Sequence, residues 1–158
     1  MALVHRNPDI ARPKLVVRSA EPGDLATVAA IDAETSTLEK PAYWKERFAW
    51  YAGGHRDRLF LVVERGDEVV GFIVGEVRAW EFGSPRSGWI FALGVKSSAR
   101  LQGIGTVLFD AICARFRKLG VEHVRTMLAK DASLVMSFFR SQGMMAGPFI
   151  QLEKRLDP

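Results

Sequence analysis

The stretch Trp89-Ile-Phe-Ala-Leu-Gly-Val95-Lys-Ser-Ser-Ala-Arg100-Leu-Gln-Gly103-Ile-Gly105-Thr106 decides how this chain is read. Its first seven residues are almost continuously apolar, as in a strand covered on both faces. A short loop follows and enters a helix through two glycines one residue apart. From Gly103 to Leu119 the apolar residues Ile104, Leu108, Ile112, Phe116 and Leu119 form one stripe of an amphipathic helix. A helix N-terminus presents unpaired N–H groups and a partial positive charge, and glycines let that backbone approach an anion closely. The segment therefore suits a diphosphate. A dinucleotide fingerprint needs a third glycine three residues on, and position 108 is Leu. A Walker-type loop needs Gly-Lys-Ser/Thr, which the chain lacks. A bare glycine turn linking strand to helix stays open at this point.

Working outward, Leu15 to Arg18 reads as a first strand. Glu21-Pro22-Gly23-Asp24 opens a helix carrying Leu25, Val28 and Ile31. Pro41 starts a second helix with Tyr43, Trp44, Phe48, Trp50 and Tyr51, ended by Gly53-Gly54. Leu59–Val63 and Val69–Ala79 are strands, and Trp80–Gly88 is a loop. Gly120 stops the Gly103 helix. Val121–Leu128 is a strand, Ala132–Gln142 a helix capped by Asp131 and stopped by Gly143, and Phe149–Leu156 a closing strand. The order βααβββαβαβ is that of a mixed α/β domain.

The 158 residues suit one domain, read as 14–158 behind a loose leader, 1–13. The apolar share of 48% is enough for a core without disulfides or a structural metal. The net charge of +4 is scattered rather than striped, which argues against nucleic acid. The single Cys113 fits a reducing cytoplasm and reads as a small buried hydrophobe. No apolar run approaches the length of a membrane span, and Met1–Pro13 lacks a signal peptide's apolar centre. His5, His55 and His123 have no metal-ligand spacing.

Arg100-Leu-Gln-Gly103-Ile-Gly105 matches the Arg/Gln-x-x-Gly-x-Gly/Ala signature of the GCN5-related N-acetyltransferase (GNAT) superfamily. The chain resembles that superfamily over nearly its whole length. Val17-Arg18 through Asp24-Leu25 is similar to its first strand and helix start, and Val69-Val70-Gly71-Phe72 to its third strand. Leu93-Gly94-Val95 sits the usual distance before Arg100, and Phe138-Phe139 through Gly143-Met144 resembles its late helix. The resemblance implies the GNAT fold: a mixed, mostly antiparallel twisted sheet of six to seven strands with about four helices. It implies acetyl-CoA as co-substrate and an amine as acceptor, either a small molecule or a protein N-terminus. A homodimer is left open.

The implied cofactor-binding residues are Leu93, Gly94, Val95, Arg100, Leu101, Gln102, Gly103, Ile104, Gly105, Thr106, Ala132, Phe138 and Phe139. Backbone N–H groups of Leu101 to Thr106 hold the pyrophosphate in this reading, with the Thr106 hydroxyl adding a contact. The pantetheine arm lies between the Trp89–Val95 and Val121–Leu128 strands, along Leu93–Val95. The Leu93 amide faces the thioester oxygen and stabilises the charge that develops there.

The pattern also departs from the family. The frequent carboxylate base falls at Trp89, the frequent tyrosine acid at Phe139, and the frequent asparagine at Ala132. Glu76 is the first substitute base: it follows Val70, Phe72 and Val74 on one face, and burial there would raise its pKa. An ordinary Glu76–Arg78 surface pair is the competing reading. Asp131 is a weaker candidate base, and Tyr43 and Tyr51 are candidate acids. These departures keep a second function in view, a non-catalytic acyl-CoA-binding or partner-binding module on the same fold. A regulatory nucleic-acid binder would need affinity that falls steeply with salt, and none is expected.

Overall fold

The computed structural model describes residues 13–51 and 54–156. Residues 1–12 of the expected leader and Gly53 of the expected helix stop lie outside the described residues. Contacts divide the chain into two compact units, one ending at Thr126 and one starting at Met127.

In the first unit the order is β1 (Leu15–Ser19), α1 (Leu25–Ser36), α2 (Pro41–Tyr51), β2 (Arg58–Arg65), β3 (Glu68–Arg78), β4 (Ser87–Val95), α3 (Ile104–Lys118) and β5 (Val124–Arg125). The sheet runs β1-β2-β3-β4-β5. All pairings are antiparallel except β4 with β5, which is parallel. The sheet is thus mixed and mostly antiparallel, as expected, but has five strands rather than six or seven. The expected Val121–Leu128 strand contracts to Val124–Arg125. Residues 149–156 are exposed and lie in no strand, so the alternation at Phe149, Gln151 and Glu153 does not mark a half-buried ladder.

Side-chain alternation sends each strand's residues to two faces. On one face Phe60, Val62, Phe72 and Val74 meet Val28 and Ile31 of α1 and Trp44 and Tyr51 of α2. Trp44 sits edge-on to Phe72, with ring centroids 5.0 Å apart, and its indole N–H donates to Asp32 at 3.0 Å. On the other face α3 buries Ile104, Leu108, Ile112 and Phe116. That face is kept low by glycine. A Cβ on Gly88 would come within 2.6 Å of the Phe116 ring, and one on Gly75 within 3.0 Å of Ile112. The absent side chains let the helix settle close to the strands. Burying each large apolar side chain contributes about 1.5–3 kcal/mol.

Charged groups fasten the start of the fold. Arg18 forks onto Asp24 at 2.7 and 2.9 Å and also reaches Glu64 at 2.6 Å. The guanidinium holds the Asp24 carboxyl below its ordinary range. Asp24 also accepts from the Glu21 N–H at 2.7 Å, which fixes the turn into α1.

Helix α3 ends as its sequence predicts. Gly120 takes φ +74°, its N–H bonds Arg117, and the Val121 N–H bonds Phe116. This is a Schellman stop, which needs the left-handed residue glycine supplies. In the second unit α4 (Ser133–Ser141) ends the same way at Gly143, φ +84°, with Gly143 bonded to Arg140 and Met144 to Phe139. The expected cap at Asp131 is corrected. Ala132 occupies the cap position, and the Ser133 N–H bonds the backbone oxygen of Asp131, not its side chain.

Candidate coenzyme and acceptor site

The loop from β4 into α3 delivers a row of backbone donors. Leu101 and Gly103 both take positive φ, 61° and 76°. Leu101, Gln102 and Gly103 are exposed. The first N–H to close the helix is that of Val107, onto Gly103 at 3.1 Å. Ahead of it, the N–H groups of residues 101–105 make no hydrogen bond among the described residues. These are the orphan donors every helix start leaves, gathered here at the positive end of a fifteen-residue helix. The space beside Gly103 where a Cβ would stand is empty to 4 Å. The donor set and the open space both suit a diphosphate.

Side chains hold this loop in place. Arg100 donates to the Val95 oxygen at 3.2 Å and to Thr35 at 3.1 Å. The Ser97 N–H donates to Glu34 at 2.6 Å, and Arg65 donates to Gln102 at 2.7 Å. The side chains of Arg100 and Gln102 thus tie the loop to α1 and β2. Ile104 contributes its N–H to the mouth and its side chain to the core. Thr106 is exposed on the first turn.

The neighbouring strand edge is open. β4 and β5 pair only at Gly88–Val124 and Trp89–Arg125. One residue on, the Thr126 hydroxyl donates to the Ile90 oxygen at 2.8 Å in place of a ladder bond. Beyond it, Phe91 to Val95 have no strand partner on that side among the described residues. The Lys96 N–H bonds Val70 of β3, so in the antiparallel alternation Gly94 points its N–H toward β3 and Leu93 points its N–H away. The Leu93 amide therefore lies on the open edge. A bulge between Val74 and Gly75 leaves Phe91 as the extra residue of β4, where the strand bends.

Glu76 sits in β3 opposite Trp89, three residues along from the row that pairs Ile73 with Leu93. That is roughly 10 Å along the strand. Both of its oxygens are engaged. Oε1 accepts from Arg78 at 2.8 Å, and Oε2 accepts from the Tyr51 hydroxyl at 2.5 Å. The expected upward pKa shift is corrected. Burial does push the carboxyl up, but the Tyr51 and Arg78 hydrogen bonds and the charges of Arg78 and Arg58 outweigh it, and the net shift is downward. Burial and the same pairing push the Tyr51 hydroxyl well above its ordinary value. The two residues named separately from the sequence thus form one unit, and the Arg78 pair is present as well. Both tyrosine and carboxylate stay in their ordinary neutral-pH forms.

In the second unit, Asp131 is exposed and its carboxylate makes no hydrogen bond among the described residues. Ala132 precedes α4, Phe138 is half-buried, and Phe139 is buried, its ring 5.2 Å from that of Phe138. Cys113, in the first unit, is buried in α3 and its thiol is pushed up by that burial, as its reading as a core residue requires. Sequence reading missed Arg47, Arg58 and their grouping with Trp50. Their only signal is a helical spacing that sets Arg47 four residues from both Tyr43 and Tyr51.

A helix mouth of orphan amides beside an unpaired strand edge defines a class: α/β proteins that can receive a diphosphate-bearing coenzyme lengthwise. Comparison with known proteins narrows it. Residues 25–144 match the Acetyltransferase (GNAT) family, and the chain belongs to that family. It is 35% identical over 95 residues to mycothiol acetyltransferase of Sanguibacter keddieii, covering 60% of this chain and 29% of that protein. The chain thus spans under a third of that relative's length. The fold is shared with a transcriptional regulator from Bacillus halodurans C-125, with TM-score 0.76, 21% identity, and 90% and 100% of the two chains covered. It is also shared with the aminoglycoside N-acetyltransferase AAC(6')-Iy in complex with CoA, with TM-score 0.78, 10% identity, and 97% and 99% covered. Acetyl-CoA is the co-substrate of this family, and the residues of the β4–α3 segment fit it. Among the described residues no helix is long and apolar enough to cross a membrane.

Proposed function

We propose that this chain moves an acetyl group directly from acetyl-CoA to a primary amine. One observation carries the reading: the unbonded N–H groups of residues 101–105 and the outward N–H of Leu93 belong to one continuous strand–loop–helix segment. The first set grips the pyrophosphate, with Arg100 and Gln102 holding the loop that presents it. The second lies where a strand-like pantetheine arm would pair, along Leu93, Gly94 and Val95. Acetyl-CoA supplies the activated acyl thioester. Leu93 donates to the thioester oxygen as negative charge develops there, an effect typically worth about 10²–10³ in rate.

Proton transfer is the weaker part of the machinery. The attacking amine must lose a proton, and Glu76, held in its ionised form by Tyr51 and Arg78, is a poor base. Water is the better carrier, and the amine's own pKa then governs the rate. The departing thiolate is a tolerable leaving group because a free thiol titrates near 8.5, about two units below a lysine-type amine. The family's frequent tyrosine acid falls at Phe139 in this sequence, and a phenyl ring has no proton to give.

A second reading keeps the coenzyme site and drops the turnover: an acyl-CoA-binding module. The engaged oxygens of Glu76 and the phenyl ring at Phe139 favour it. A thiol-release assay over an amine panel separates the two. Continuous CoA production with some amine supports the enzyme. Tight acetyl-CoA binding with no release from any amine supports the module and overturns the proposal.

A further inference from the structure

Beside the Tyr51–Glu76 pair the surface opens into a cleft of about 660 Å³ lined by Glu46, Arg47, Ala49, Trp50, Arg58 and Glu76. Its charges are unevenly matched. Glu76 is occupied by Arg78 and Tyr51. Arg58 lies over the Trp50 ring, 4.0 Å from its centroid, and donates to the Trp50 backbone oxygen at 3.1 Å; its charge reaches Glu76, its cross-strand partner, but it forms no direct ion pair among the described residues. Arg47 makes neither a hydrogen bond nor an ion pair among them. Its Nε is shut off from solvent with no acceptor. Its guanidinium carbon lies 5.3 Å from the centroid of the Tyr43 ring, a contact that satisfies no N–H. Glu46, the remaining acid of the lining, is exposed and bonds neither guanidinium.

A half-buried guanidinium with one donor shut off and no carboxylate paired to it leaves its charge uncompensated. An anion in the cleft would meet the terminal nitrogens of the guanidinium and neutralise its charge, and such a fork matches a carboxylate or phosphate with two parallel bonds. The cleft also leads toward the reacting strand, since the Tyr51 ring packs on Phe91 of β4 with centroids 5.3 Å apart. We propose that this cleft binds the acceptor, and that the acceptor is an amine that also carries a carboxylate or a phosphate. The anionic group sits between Arg47 and Arg58 against the flat wall of Trp50, and the amine extends along Tyr51 and Phe91 toward the β4 edge. A polycationic amine is repelled by the same two arginines. The chemistry of this assignment rests on the acetyl-transfer reading, but the binding does not.

The test titrates the full chain, without coenzyme, with β-alanine, phosphoethanolamine, propylamine and spermidine, following the fluorescence of Trp50 and its neighbours. At least one of the two anionic amines should bind about tenfold or more tighter than propylamine and spermidine, and the tighter of the two identifies carboxylate or phosphate. Arg47→Gln should weaken that binding about tenfold or more, the loss of charge-assisted bonds, while CoA affinity reports that the fold is intact. Arg47→Lys should recover part of it. Equal or tighter binding of propylamine or spermidine, no binding of either anionic amine, or an Arg47→Gln protein that binds them like the wild type overturns the assignment. Thiol release measured in parallel with acetyl-CoA separates the two layers. Anionic amines that bind but never release CoA leave the cleft assignment standing and count against acetyl transfer. Release with spermidine alone does the reverse.

Discussion

Replacing Gly103 tests the anion cradle in a way that separates fold from ligand. Gly103 has φ +76° and empty space where a Cβ would stand. A side chain there clashes with nothing in the protein, so the cost to the fold is conformational alone, about 1 kcal/mol for a non-glycine residue in the left-handed region. Gly120, at the far end of α3, has φ +74° and equally open surroundings. Gly120→Ala should therefore lose the same ~1 kcal/mol in chemical denaturation, and it serves as the control for strain. At the mouth the consequences differ. A glutamate at 103 puts a carboxylate near the bound diphosphate. At roughly 5 Å each phosphate charge contributes about 1–3 kcal/mol of repulsion for an effective dielectric between 80 and 20. Two such charges give about 2–6 kcal/mol, about thirtyfold or more in Kd. Calorimetric titration with CoA should show Gly103→Glu binding about thirtyfold or more weaker, Gly103→Ala intermediate, and Gly120→Ala like the wild type. A Gly103→Glu protein that is folded and binds CoA normally would refute the cradle.

Other expectations follow from the packing and the titrating groups. Gly88→Ala forces a Cβ to within 2.6 Å of the Phe116 ring and should destabilise the fold by about 1–3 kcal/mol in urea unfolding; adding Phe116→Leu should recover part of that loss. Asp24→Asn should cost about 1–3 kcal/mol at neutral pH by breaking the Arg18 fork. Because Asp24's folded pKa is depressed, its contribution is complete above the unfolded value of about 4 and disappears as pH falls through the folded value, so the wild type and Asp24→Asn should converge in stability on acidification. With Glu76 depressed rather than raised, kcat/KM should show no limb between about pH 5 and 7 from this residue and should climb with the acceptor amine's own ionisation; a limb near pH 6 abolished by Glu76→Gln would contradict this. Phe139→Tyr should raise the maximal rate of thiol release, because it restores a proton donor, and an unaltered rate would show that thiolate protonation is not limiting.

Much of the secondary structure was legible because its signals are local. The 3.6-residue stripe of α3, the apolar run of β4 and the glycine stops at Gly120 and Gly143 each depend on a few neighbouring residues, and each formed where expected. The failures came where a residue's state depends on distant partners. The segment Val121 to Leu128 read as a strand, but pairing with β4 stops at Arg125, where a threonine hydroxyl takes the next carbonyl. Alternation over Phe149–Leu156 is a condition for a half-buried strand, not a cause of one. Asp131 has the right chemistry for a helix cap, yet it stands one residue too early. Burial does push the Glu76 carboxyl up, as its apolar neighbours suggested, but Tyr51 is 25 residues away in sequence and its hydroxyl helps reverse the sign. The unpaired state of Arg47 has no sequence signal, since it arises from what surrounds the side chain rather than from what it is.

The central claim concerns individual backbone amides, so it is best met by amide-resolved NMR of the ¹⁵N-labelled chain titrated first with CoA and then with acetyl-CoA. Both ligands should move the resonances of Gly103 and Gly105 and their loop neighbours, and the acetyl group should add a distinct shift at Leu93. Resonances of that loop left in place while others move would put the coenzyme elsewhere and contradict the account.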